Sequence, residues 1–123
     1  MINKFFLSNN AITVEVPQRI QTLFNKSIEI FAPYAKPEEV NIFFVRKQFR
    51  VIFDEKRVGM YIKNLIVFDL DKLENHPEEM VLAVFLEEFA HCYLHIDDEK
   101  EVSHAVCKIY PKLEFNGKKY SLK

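Results

Sequence analysis

Tryptophan is absent from these 123 residues, and glycine and cysteine occur only twice each. With only Gly59 and Gly117, and no Gly/Ser/Pro-rich tract or internal repeat, nothing marks a linker. A single domain over residues 1–123 is expected. Cys92 and Cys107 are too few for a disulfide framework and read as reduced thiols. No excess of one charge exists either: 17 Lys+Arg against 18 Asp+Glu leave a net charge of −1. That balance removes the electrostatic case for a nucleic-acid partner. Charged residues interrupt every apolar stretch well short of a membrane span. Phe5-Phe6-Leu7 is too short for a secretion signal before polar Ser8-Asn9-Asn10. The expectation is a small cytoplasmic domain that neither crosses nor anchors to a membrane.

What the chain does have is 49% hydrophobic residues, enough for a core, with twelve phenylalanines as its main material. No basic groove accompanies those rings, so they do not read as a base-stacking platform. Ile12, Val14 and Val16 alternate with polar residues as a short strand. Pro17 then opens a helix carrying Ile20, Leu23, Phe24, Ile28 and Phe31 at helical spacing up to Pro33. From Val40 to Leu70 the texture is β-branched and aromatic, in the runs Asn41–Arg46, Phe49–Asp54, Val58–Ile62 and Leu65–Leu70. Asp54–Arg57 and Lys63-Asn64 read as hairpin turns, giving an antiparallel meander with the Leu65 run inside the sheet. Asn75-His76-Pro77-Glu78-Glu79 starts a helix expected to reach His95, with His76 a helix-start residue. Asp97-Asp98 opens another helix, striped by Val102, Ala105, Val106 and Ile109 and ended by Pro111. Leu113–Leu122, around Asn116-Gly117, reads as a hairpin. The fold class is α+β.

The helix from Pro77 to His95 is apolar in nearly every direction, which places it in the core. Its exceptions cluster. Taking Glu87 as zero, His91 lies at about 40°, His95 at about 80° and Glu88 at about 100°. Ionisable groups on a buried helix need partners, water or a metal. If the next helix folds back antiparallel, His91 and Glu101 stand five residues either side of Ile96, at one level of the hairpin. The plain alternative for the arc is i,i+4 pairing of acids and imidazoles. For Glu101 it is a capping box with Asp98. Cys92 points about 100° from His91 and reads as a small buried thiol. Cys107 flanks the apolar stripe, and His104 falls opposite it on the solvent side.

Glu87-Glu88-Phe89-Ala90-His91-Cys92-Tyr93-Leu94-His95 resembles the H-E-x-x-H-x-x-L-H segment of gluzincin metallopeptidases, closest to the ImmA/IrrE group. Glu101, followed by Val102, Ala105, Val106, Ile109 and then Pro111, is similar to the ligand helix of that family. The resemblance covers about a fifth of the chain, Glu87–Pro111. It implies a minimal zincin-like domain of N-terminal helix, meander, active-site helix and ligand helix. It further implies Glu88 as general base, with His91 and Glu101 as metal ligands and His95 as an additional histidine that need not bind. Glu87 departs from the pattern, because the family has histidine there. A carboxylate still ligates, but two carboxylates and one imidazole bring the site's charge near zero and weaken the activation of a bound water.

Two functions from different classes therefore stand. One is a peptidase, or its degenerate descendant, using Zn²⁺ or a harder ion such as Mn²⁺ held by Glu87, His91 and Glu101. Its substrate would be an extended segment of a regulatory protein such as a mobile-element repressor, held at an edge strand. The other is a metal-free interaction module on the same scaffold.

Overall fold

The β-branched and aromatic runs at Asn41, Val58 and Leu65 become strands, and the helical spacings become helices. The structure, a computed structural model, describes residues 2–6, 8–9, 12–13, 15–35, 40–46, 59–62 and 65–123. Strand β1 (Ile2–Phe6) precedes a small antiparallel ladder of β2 (Ser8–Asn9) with β3 (Ile12–Thr13). Helix α1 (Gln18–Phe31) starts after Pro17 and tightens into a 3₁₀ turn at Ala32–Tyr34, where Pro33 cannot continue the α-helical ladder. Strands β4 (Val40–Val45), β5 (Gly59–Ile62) and β6 (Leu65–Asp69) follow. Three helices come next: α2 (Leu70–Leu73), α3 (Glu78–Tyr93) and α4 (Glu99–Ile109). Strands β7 (Leu113–Phe115) and β8 (Tyr120–Leu122) form the expected terminal hairpin. Gly117 adopts φ 97°, and the Asn116 carboxamide oxygen accepts from the backbone N–H of Lys118 and Lys119, each at 2.9 Å.

The main sheet has the order β1-β4-β6-β5. The antiparallel meander expected over Val40–Leu70 is corrected here. Strands β1, β4 and β6 run parallel, and among the described strands of this sheet only β5 opposes its neighbour, β6. Two connections explain this. Helix α1 is the crossover that parallel pairing of β1 and β4 requires. The chain then passes to the far edge as β5 and returns as β6 into the space beside β4. Ile62 faces Leu65 in the antiparallel register, and the tight turn expected at Lys63-Asn64 lies outside the described residues. The run Phe49–Asp54 and the turn Asp54–Arg57 lie outside the described residues. The Leu65 run is interior, as its unbroken apolarity predicts. Strand β1 and the short α2, capped by the Asp69 carboxylate accepting from Lys72 N–H at 3.3 Å, were not among the sequence expectations.

Side chains alternate across the sheet. Ile42, Phe44, Ile66 and Phe68 join the helical core, whereas Val45 and Val67 pack with Phe43 and Leu65 on the other face. Helices α1 and α3 cover the first face together: Phe24 of α1 stands edge-on to Phe44 of the sheet and to Phe85 and Phe89 of α3. Apart from Glu87, every residue from Val81 to Tyr93 on α3 is buried, as expected for a helix apolar all round. Cys92 is buried and, among the described residues, forms no disulfide. No helix among the described residues is long and apolar enough to cross a membrane.

Candidate functional site

The arc of ionisable residues on α3 is only partly kept. Helix α3 stops at Tyr93, Leu94 caps it, and His95 takes a left-handed φ of 55° outside it. His95 is exposed and does not share the arc, which corrects the expected extension of the helix to that residue. Glu88 is buried at 9% exposure and His91 at 8%, while Glu87 is half-buried.

Two contacts orient His91. Its Nδ1 bonds the Ile96 carbonyl, and because a carbonyl only accepts, Nδ1 carries the proton. Its Nε2 lies 3.5 Å from Glu99 Oε1, on a side chain 79% exposed. The acid that reaches across from α4 is therefore Glu99. Glu101, the expected third ligand, is exposed, and its backbone N–H donates to Asp98 Oδ2 at 2.9 Å. The capping role of that segment is realised. Helix rotation supplies the reason. Taking Val102 as zero, buried Val106 and Ser103 lie at about 40° and 100°, Glu99 at about 60° and Glu101 at about 260°. Burying that stripe carries Glu99 towards α3 and turns Glu101 away. On the stripe read from the sequence, Val102, Ala105, Val106 and Ile109, the two acids stand about 70° and 90° from its centre and are nearly equivalent, so the burial of Ser103 makes the choice.

Glu87 is held from a third direction. Tyr120 at the start of β8 donates its phenol O–H to Glu87 Oε1 at 2.6 Å. The Ser103 hydroxyl of α4 acts on the phenol from the other side and opposes the rise of its pKa. Ser103 and Tyr120 are each 5% exposed, and the bond from Tyr120 to Glu87 ties β8 to α3. Burial raises the Glu87 carboxyl above its usual range; the Tyr120 bond opposes this, the Glu99 charge adds to it and His91 opposes it. Burial and the Glu87 charge and hydrogen bond push the Tyr120 phenol far up, with only the Ser103 bond working against them. Tyr120 therefore stays a protonated donor at any ordinary pH. Nothing local in the sequence marks it, because 33 residues separate it from Glu87 and only the docking of the hairpin joins them.

As placed, these side chains do not form the donor set that the resemblance calls for. Among the described residues, no three of His, Cys, Asp or Glu are grouped so as to hold a metal ion. The arrangement instead offers an oriented imidazole, an exposed carboxylate facing it, and a second carboxylate engaged by a phenol. Burial raises the Cys107 thiol above its ordinary range, which lowers its thiolate fraction.

Asp98 sets where α4 begins and hence which acid faces His91. Asp98→Ala is expected to cost about 1 kcal/mol, the usual worth of an N-cap side chain, read as a lower urea midpoint at unchanged slope. An unchanged midpoint would show that the cap is dispensable.

Comparison with family models, curated proteins and solved structures finds nothing that matches this chain.

Proposed function

We propose that this chain is a zincin-like scaffold that acts by binding a protein partner, with a hydrogen-bonded cluster in place of a catalytic metal. The observation that carries this is the state of the two acids assigned as ligands: Glu87 is bonded to Tyr120, and Glu101 faces solvent. The partner would be an extended segment of a regulatory protein, such as a mobile-element repressor, as the ImmA/IrrE resemblance implies. Strand β5, at the edge of the sheet among the described residues and packed beside α3, is the place where such a segment would add as a further strand.

A second reading keeps the chemistry. His91, with Nδ1 committed to Ile96, presents Nε2 to Glu99, and an imidazole whose other nitrogen bonds a carbonyl is oriented as metal-bound histidines are. In that reading Glu88 is the base, and Zn²⁺ or Mn²⁺ supplies the polarisation of a scissile carbonyl.

Metal analysis of protein purified without chelator or nickel resin separates the two. The expected result is far less than one metal ion per chain and no cleavage of an unfolded protein substrate. Stoichiometric metal, with cleavage abolished by Glu88→Gln, would overturn the interaction-module reading.

A further inference from the structure

We propose that the open end of the terminal hairpin is a docking groove for an acidic peptide segment carrying one apolar anchor residue. This docking depends neither on strand addition at β5 nor on the cluster at α3. The groove has a volume of about 430 Å³ and is lined by Pro111, Lys112, Leu122 and Lys123. Ligand pockets start at about 300 Å³, so a side chain has room here. Leu113 and Leu122 stand opposite each other in the ladder, yet Leu113 is fully buried and Leu122 is 55% exposed. Among the described residues, Tyr34 is the one other large hydrophobic left exposed. The rim of the groove is cationic. Lys123 N–H donates to the Lys112 carbonyl at 2.9 Å, one step beyond the Leu113–Leu122 pair, so the ladder continues and sets two lysines directly opposite each other. Like charges in that position destabilise a hairpin, and an anion between them turns the repulsion into attraction. Residues 108–123 hold five exposed lysines against one acid, Glu114, in a chain whose net charge is −1. The hairpin end is therefore the positive part of a molecule that is otherwise net acidic, which draws an acidic partner to it. Leu122 calls for an apolar side chain and the lysine pair for carboxylates, and one peptide segment supplies both. A nucleic acid does not, since no aromatic ring lines the groove to stack a base. A membrane surface calls for a broad apolar face in place of one leucine.

The test titrates the full chain into a fluorescein-labelled synthetic peptide, a leucine flanked on both sides by aspartates, and reads fluorescence anisotropy. Saturable binding is expected, weakening as salt is raised because the lysines are exposed. Leu122→Ser should weaken it by about tenfold, the scale of burying one leucine, and a peptide with serine in place of its leucine should lose as much. Lys123→Glu should weaken it by about fivefold, the scale of an exposed charge pair. The same variant replaces a like-charge pair with an opposite one, so its urea midpoint should stay level or rise while binding falls. A midpoint that falls would show that the lysine pair serves the fold, and would overturn the anion site. Absence of saturable binding overturns the proposal. So does wild-type affinity in Leu122→Ser or for the serine peptide, which would reduce the attraction to charge alone. Tighter binding to phosphatidylserine vesicles or to a single-stranded oligonucleotide, weakened by Leu122→Ser, would give the groove a different occupant and overturn the peptide. A dimer in sedimentation that Leu122→Ser dissolves would show a second copy covering Leu122, and would overturn it as well.

Discussion

Phe85→Ala is expected to cost about 3–5 kcal/mol, a large part of the roughly 5–15 kcal/mol that holds a domain of this size together. Phe85 sits on the inner side of α3 with no exposed surface. Its ring meets Phe68 at 4.9 Å and 88°, Phe24 at 5.1 Å and 79°, and Phe44 at 6.3 Å and 83°. Three edge-to-face contacts thus link α3 to α1 and to both inner strands of the sheet. Truncation removes the transfer energy of the ring and leaves a cavity bounded by other rings, which are too rigid to fill it. Urea unfolding should show the midpoint falling at an unchanged slope. A loss below about 1 kcal/mol, the range of ordinary surface changes, would mean that this cluster is not the centre of the core.

The other large effect is expected from Glu87→His, which recreates H-E-x-x-H at positions 87 to 91. It places two imidazoles one turn apart on α3 and removes the carboxylate that Tyr120 holds. Imidazole nitrogen suits zinc better than a carboxylate oxygen, so zinc affinity should rise by about tenfold or more. Glu99 is the acid on α4 already beside His91, so Glu99→Ala in the same background should lower the gain more than Glu101→Ala. The reverse ranking would show that metal binding rotates α4 away from the packing seen here. Zinc gain without cleavage of an unfolded protein favours the interaction module. Zinc gain with cleavage that Glu88→Gln abolishes favours an enzyme weakened at one position. No zinc gain would mean that His91 does not reach a common point with position 87, and the family reading of the arc would be wrong.

Much of the fold follows from local pattern. The apolarity of residues 80–94 in nearly every direction requires a buried helix, since its ionisable residues fill only one narrow arc. Asp98 and Asn116-Gly117 mark a helix start and a turn because their side chains or backbone freedom satisfy those conformations locally. Strand pairing was not legible in the same way. The runs at Val40 and Leu65 define strands, but parallel or antiparallel order depends on where the connections travel, and nothing within a run records that.

The site divides along the same line. That Glu87, Glu88 and His91 depart from an apolar helix is a property of spacing, and the sequence determined it. Which acid faces His91 was decided by the rotation of α4, which follows the burial of Val102, Ser103 and Val106 and so selects Glu99. The loss of His95 from the arc was decided by a left-handed residue at the helix end, where the chain must turn towards α4. The bond from Tyr120 to Glu87 was decided by the docking of the terminal hairpin on α3. Helical and strand periodicity act over a few residues, so they can be read along the chain. Contacts between elements depend on how whole faces pack, and a hydrogen bond across 33 residues exists only once that packing has brought donor and acceptor together.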